Sequence, residues 1–451
     1  MLPGTGRICE ASTARLSPGP MPASPYSLAT FDVAAIFVVA AAVLGWLNYQ
    51  VFRLPTSIGL TVMGALASVI VVLLNAFVPG LTISAWVAEL IQRMNFTETL
   101  LQGMLSFLLF AGALHVDFNR LRKDWWPVLI LSTAGVLIST ALIGAATWGV
   151  GLLLALPIKP IWYFVFGALI SPTDPVSVLG VLKQERVPEN LQATVAGESL
   201  FNDGVGIVVF TILFGAAMTG GEFSFAEGAR LFAQEAGGGV AIGLALGWIG
   251  CRALRSIDDY AIEVLITLAV VMGGYALSSA VHVSGPLAMA VAGILIGNFG
   301  VGDAMSETSR DYMVKFWEII DDLLNAVLFL LIGLQVIALV PGALHLALAA
   351  ASIVIVLGGR AISLELSSFL IPRSRGHGPG AFAVLWWGGL RGGISIALAL
   401  ALPAGPTHDL LLAATFSAVL FSVLIQRATL GRVIERGPLG ALLGKARPTL
   451  H

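Results

Sequence analysis

The stretch ALISPTDPVSVLG, residues 168–180, decides how the chain is read. Thr173 and Asp174 stand between Pro172 and Pro175 inside a long apolar run. A proline removes a backbone donor and breaks a helix interior. A carboxylate in apolar surroundings is costly unless something compensates it. In hydrocarbon, a backbone freed from its helix survives only where protein or a wet cavity satisfies it. The two prolines therefore predict a transmembrane helix that opens at the depth of Asp174. Carbonyls beside a carboxylate are hard oxygen ligands, suited to a small cation, and broken helices at mid-membrane are how many transporters bind ions. A plainer reading also fits these few residues, because Asp before Pro is a good N-cap for the half-helix that restarts at Pro175.

The surrounding chain favours the membrane. Its 451 residues are 57% hydrophobic and only 11% charged, with a mean hydropathy of +0.92. Soluble domains carry about 25% charged residues. The composition implies an all-α polytopic membrane protein, with the lipid bilayer as its solvent. A net charge of -2 supplies no field for nucleic acid. Cys9 and Cys251 are far apart and read as free thiols rather than a disulfide framework. No phosphate-binding loop is visible, and no nucleophile–base constellation lies at membrane depth. The expectation is a protein that is not an enzyme and carries no cofactor.

A spanning helix needs about 20 apolar residues, and on that rule about thirteen spans are expected: 32–52, 56–77, 98–118, 126–156, 160–182, 192–217, 229–252, 259–281, 285–300, 317–340, 342–371, 379–403 and 408–427. Residues 301–316 read as a surface helix. With the N-terminus outside, 17 of the 24 lysines and arginines fall in inside loops and 5 in outside ones, Arg360 and Arg391 lying within spans. That bias follows the positive-inside rule and places the C-terminus in the cytoplasm. Residues 1–31, rich in Pro, Ser and Ala, are expected to be disordered. Met1 and Met21 are both candidate starts. A membrane domain is expected over 32–430 and a short basic tail over 431–451.

Ionisable residues inside spans are functional candidates by default. Beyond Asp174, the run NLQATVAGESLFNDGVGIVVF (190–210) carries Glu198 and Asp203. Ser199 and Asp203 are four apart and share a helix face, with Glu198 and Asn202 on the adjoining strip. The run AVLWWGGLRGGISIALALALP (383–403) sets Arg391 among four glycines, a second weak point in a helix. These two breakable spans are the middle members of spans 4–6 and 11–13, as an inverted repeat would place them. Glu198 and Arg391 are expected to pair, with a structural or a mechanistic role open. Arg360 and Glu365 read as structural, and Glu318, Asp321 and Asp322 as close to the cytoplasmic surface. Asn325, farther in, is a candidate lining residue. His115 and His282 lie at span ends and read as bystanders.

SPTDPVSV, GESLFNDGVGIVVF, WGGLRGGISIALAL and FWEIIDDLLNAVLFLLIGL (316–334) occur in this order. Together they resemble the signatures of the monovalent cation/proton antiporters, specifically the sodium/proton exchanger branch. The resemblance implies a homodimer with a dimerisation domain beside a core domain that contains two crossed, broken helices. It implies that Asp203 and Asp174 carry cation and proton, with Ser199 and the Thr173 carbonyl as further ligands and Asn202 beside them. It implies that Glu198 pairs with Arg391. Members with Asn before the second Asp, as at Asn202, are typically electroneutral. One departure stands out: Ala111 lies where many relatives carry an acidic residue.

The resulting expectation is a secondary antiporter of the inner membrane, exchanging Na⁺ or Li⁺, with K⁺ a further candidate, for H⁺ by alternating access. Desolvation disfavours a bare carboxylate, so each site holds either a proton or a cation, and only a loaded site crosses. A cation channel and a sodium-coupled symporter are the rival readings.

Overall fold

In a computed structural model, the chain is described over residues 30–77, 103–220, 224–302, 305–334, 342–372 and 380–437. Among these residues the regular structure is helical. In chain order the helices are α1 Thr30–Leu47, α2 Thr56–Phe77, α3 Leu105–Leu114, α4 Phe118–Lys123, α5 Trp125–Ser132, α6 Ala134–Leu153, α7 Pro160–Ile170, α8 Pro175–Gln184 and α9 Glu189–Thr219. They continue with α10 Phe225–Leu254, α11 Tyr260–Ala280, α12 Gly285–Leu295, α13 Glu307–Leu334, α14 Ala343–Ser368, α15 Ala381–Trp387, α16 Gly393–Leu400, α17 Pro406–Phe421 and α18 Arg427–Arg436. Wider π-type turns extend α1, α12 and α17.

Local chemistry fixes several starts. Asp117 accepts from the backbone N–H of Asn119 and Arg120 to open α4. Asp259 does the same for α11 through Ala261 and Ile262. Pro160 stands in the first turn of α7, where its missing N–H costs nothing. Among the described residues, seven helical stretches are long and apolar enough to cross a membrane. Large apolar side chains crowd the outer surface, among them Leu153 at 86% exposure, Val354 at 70% and Trp248 at 67%. A soluble protein rarely displays so much contiguous apolar surface; hydrocarbon is the solvent that accommodates it.

Two details depart from the sequence reading. The surface helix expected over 301–316 is not separate, because Glu307–Leu334 runs as one helix of 28 residues. The final helix continues to Arg436, past the boundary placed at 430. Residues 98–102, the tail up to residue 29 and Cys9 lie outside the described residues, and α1 already begins at Thr30.

The helices sort into two packed sets. In one, α5 to α9 pack with α14 to α18, joined chiefly through α6, α7, α14 and α17. In the other, α13 lies along α2, and α12 fills the space between α3, α10 and α11. The first set contains both interrupted helices, α7/α8 and α15/α16. Each is the middle member of a triple, between α6 and α9 in one case and between α14 and α17 in the other.

Candidate functional site

The two interruptions meet. At the first, α7 stops at Ile170 and α8 starts at Pro175. At the second, α15 stops at Trp387 and α16 starts at Gly393. The Asp174 N–H donates to the Leu390 carbonyl at 2.8 Å. Arg391, only 1% exposed, donates from Nη1 to the Ser171 carbonyl and, at 2.9 Å, to the Pro172 carbonyl. Its own N–H donates to Ser422 Oγ at 2.8 Å, and Ser422 in turn donates to Gln426 Oε1 at 2.7 Å. Each break thus supplies what the other lacks. The carbonyls released at the end of α7, the negative end of that helix, receive a guanidinium. Asp174 lies at the start of α8, the positive end.

Helix α9 braces this crossing. Asn202 Nδ2 donates to Thr173 Oγ1 at 2.7 Å, and the Thr173 N–H donates to Asn202 Oδ1 at 3.2 Å. Thr173 Oγ1 and Ser199 Oγ are 2.9 Å apart. Gly206 lets α9 approach closely, since a Cβ there would collide with the Pro172 ring. Ser199 and Asn202, expected among the cation ligands, are therefore engaged with Thr173 and are not among the residues that line the adjoining cavity. Both side chains hydrogen-bond Thr173, within the opened stretch.

That cavity is small, about 60 Å³, and Thr173, Asp174, Asp203, Asn325 and Ser395 face it amid apolar side chains of α3 and α13. Asp203 is 2% exposed, and its Oδ1 makes no hydrogen bond. Ser395 Oγ is likewise buried without a partner, and the Asn325 side chain is in reach of Asp321, one turn earlier on α13. Asp203 stands within electrostatic reach of both Asp174 and Arg391. Orphaned buried polar atoms are rare in folded proteins and call for an explanation. Here they converge on one space, with room for more than one water-sized particle. Carboxylate, amide and hydroxyl oxygens around such a space suit a small hard cation.

The ion pair expected between Glu198 and Arg391 is corrected. Glu198 Oε1 lies 2.6 Å from Arg360 Nη1, both side chains being buried, and Arg360 also donates to the Leu385 carbonyl at 3.2 Å. Arg391 is drawn instead to the freed carbonyls of the broken helix. Sequence reasoning assigned Arg360 a structural part but could not see that α14 aims it at α9. Glu365, grouped with Arg360, is exposed. Ser395 was missed, the only signal being one hydroxyl in an apolar run. Asp321, expected near the surface with Glu318 and Asp322, is half-buried, one turn before Asn325, while its two neighbours are exposed. Ala111 is buried against Phe110, Trp317 and their neighbours. The residues of α3 that face the cavity are Leu105, Leu108, Leu109 and Gly112.

Residues 38–436 match the family model described as "Sodium/hydrogen exchanger, transmembrane". The chain belongs to the sodium/hydrogen exchanger family. Among its relatives, the Na(+)/H(+) antiporter NhaP of Pseudomonas aeruginosa is 44% identical over 420 residues, covering 92% of this chain and 99% of that protein. The Na(+)/H(+) antiporter NhaH of Halobacillus dabanensis is 35% identical over 347 residues, covering 76% and 83%. The solved structure of the sodium proton antiporter MjNhaP1 from Methanocaldococcus jannaschii superposes with a TM-score of 0.70 at 20% identity, over 90% of this chain and 98% of that one. At that identity the likeness establishes the exchanger fold.

Proposed function

We propose that the protein is a secondary antiporter exchanging Na⁺ or Li⁺, with K⁺ a further candidate, for H⁺ across the inner membrane. Asp203 and Asp174 are the groups that hold either ion. The observation that carries this reading is Asp203, a buried carboxylate with an unpartnered oxygen, facing a small cavity shared with Asp174 at the crossing of two broken helices. The names of the relatives support the same exchange.

Competition for one site couples the two ions. A desolvated carboxylate is disfavoured bare, so it takes up a proton or a cation before the site crosses. Glu198 and Arg360 cancel each other. Asp174, Asp203 and Arg391 together leave one net negative charge. One Na⁺ or one proton neutralises it, which favours one-for-one, electroneutral exchange. Thr173 offers its carbonyl to the cation, and Ser199 and Asn202 hold that residue in place. Asn325 and Ser395 are further candidate ligands.

The set containing the crossing rocks against the other set, whose exposed apolar helices pair two copies into a homodimer. Thirteen spans with the N-terminus outside and the C-terminus in the cytoplasm complete the reading. The deciding experiment reconstitutes the purified protein in liposomes with an imposed pH gradient and tests each cation in turn. Saturable, cation-dependent proton flux supports the proposal. Current without proton coupling would point to a channel and overturn it.

A further inference from the structure

A second buried carboxylate stands apart from the crossing. Glu263 lies in the first turn of α11 and is 0% exposed, yet neither Oε1 nor Oε2 makes a hydrogen bond. The charges of Asp258 and Asp259 act on it and are of its own sign. Asp259 is committed to capping α11. Asp258, exposed at the rim, accepts from Ser306 Oγ at 2.8 Å and from Ser309 Oγ at 3.3 Å. Ser309 lies between the two carboxylates: its hydroxyl is in hydrogen-bonding reach of Glu263 as well as of Asp258, and its single proton can serve only one of them at a time. Among the described residues, no lysine or arginine makes an ion pair with Glu263 or Asp258 within 4.0 Å. A buried carboxylate that shares one hydroxyl with a second carboxylate and has no counter-charge among the described residues is a costly arrangement in a folded protein.

We propose that Glu263 and Asp258, with the hydroxyls of Ser306 and Ser309, bind a hard, oxygen-liganded cation at a site separate from the exchange cavity. Carboxylate and hydroxyl oxygens are the donor set such cations select. Glu263 forms the floor, and Asp258 gives access from solvent. Asp258 and Glu263 belong to the start of α11, whereas Ser306 and Ser309 belong to the start of α13. The cation therefore clamps together the first turns of two helices. Helix α13 also carries Asn325 to the exchange cavity, so the clamp fixes the base of a helix that lines it.

The test measures thermal unfolding of the purified protein while NaCl or CaCl₂ replaces choline chloride at constant ionic strength. Wild type, Glu263→Gln, Asp258→Asn and Asp203→Asn are compared. Asp203→Asn, which removes the exchange cavity's own contribution to the rise, retains a saturable rise in Tm, because the proposed site does not involve Asp203; the unfolding scans of the other two variants are therefore also run in that background. In Glu263→Gln the apparent affinity for the cation falls at least about tenfold, as expected for loss of one charged ligand. Asp258→Asn weakens it in the same direction, and cation/proton exchange in liposomes persists in both variants. Saturation by Ca²⁺ far below the Na⁺ required identifies a divalent ligand; saturation by Na⁺ alone identifies the exchanged ion itself. A rise abolished by Asp203→Asn, or unchanged by Glu263→Gln, overturns the proposal, as does the absence of any rise. If Glu263→Gln fails to fold, Asp258→Asn decides, and an unaltered affinity there refutes the site.

Discussion

Glu198 and Asp203 sit five residues apart on α9, at 1% and 2% exposure, and differ in what meets them. Glu198 has Arg360 at 2.6 Å. Asp203 keeps an oxygen without any partner and faces the cavity. Equal burial thus supports two opposite arrangements. A paired carboxylate is settled, and removing its partner leaves an uncompensated buried charge. An unpaired one is poised to take up whatever neutralises it. On the proposed function, the difference separates a residue that holds helices together from one that exchanges ions.

The largest effect is expected at the unpaired carboxylate. Asp203→Asn abolishes cation-dependent proton flux in liposomes, while the purified protein melts at or above the wild-type temperature because an unfavourable charge is gone. Retained flux would break the contrast. Asp174→Asn abolishes flux as well; near-normal flux would reduce Asp174 to a helix cap, a task that Asn performs equally well.

At the paired carboxylate the effect falls on stability. Glu198→Gln and Arg360→Gln each cost about 3–5 kcal/mol, and the double variant recovers part of that loss. Combining Glu198→Gln with Arg391→Gln gives closer to additive losses, since Arg391 engages carbonyls instead. Denaturation measured across the two double-mutant cycles checks the reassigned pairing.

A smaller effect is expected at Gly392, where a Cβ would lie 2.9 Å from Asp174 Cβ. Gly392→Ala overpacks the crossing by about 1–3 kcal/mol and lowers turnover, because Asp174 must shift. Unchanged turnover would show that the crossing tolerates displacement of this carboxylate. The smallest effect concerns voltage. With Na⁺ and H⁺ gradients balanced in liposomes, an imposed potassium diffusion potential drives no net proton movement. An uncompensated charge would respond with about 2.3 kcal/mol per 100 mV, and a measured proton flux would overturn electroneutrality.

Much of this was legible in the sequence because the membrane makes polar residues conspicuous. Asp174 between prolines, the Ser199–Asp203 face with Glu198 on the adjoining strip, and Arg391 among glycines each announced themselves against an apolar background. The helix break at 171–174 and its partner at 388–392 followed from backbone chemistry alone. Partner choice did not follow. Arg360 and Arg391 are both arginines within spans, and which one reaches Glu198 depends on how α14 and α15/α16 rotate against α9. Nor did the sequence distinguish oxygens that face the cavity from those that brace its wall. Ser199 and Asn202 lie on the helix that bears Asp203, and only the placement of Thr173 reveals that they hold it. Asp321 and Ser395 depend in the same way on helix rotation, which periodicity leaves free in a helix that is apolar nearly all round.

The mutual satisfaction of the two breaks also bears on how the chain is made. The carbonyls of Ser171 and Pro172 are bonded by an arginine 220 and 219 residues downstream. At about 5–20 residues per second of synthesis, the first broken helix enters the bilayer on the order of ten to forty seconds before its guanidinium has been polymerised. During that interval its opened backbone must be served by water or by the insertion machinery. A chain that terminates before residue 391 never receives the compensating charge. Such truncated products keep the opened backbone at Ser171 and Pro172 without the guanidinium that satisfies it in the finished protein.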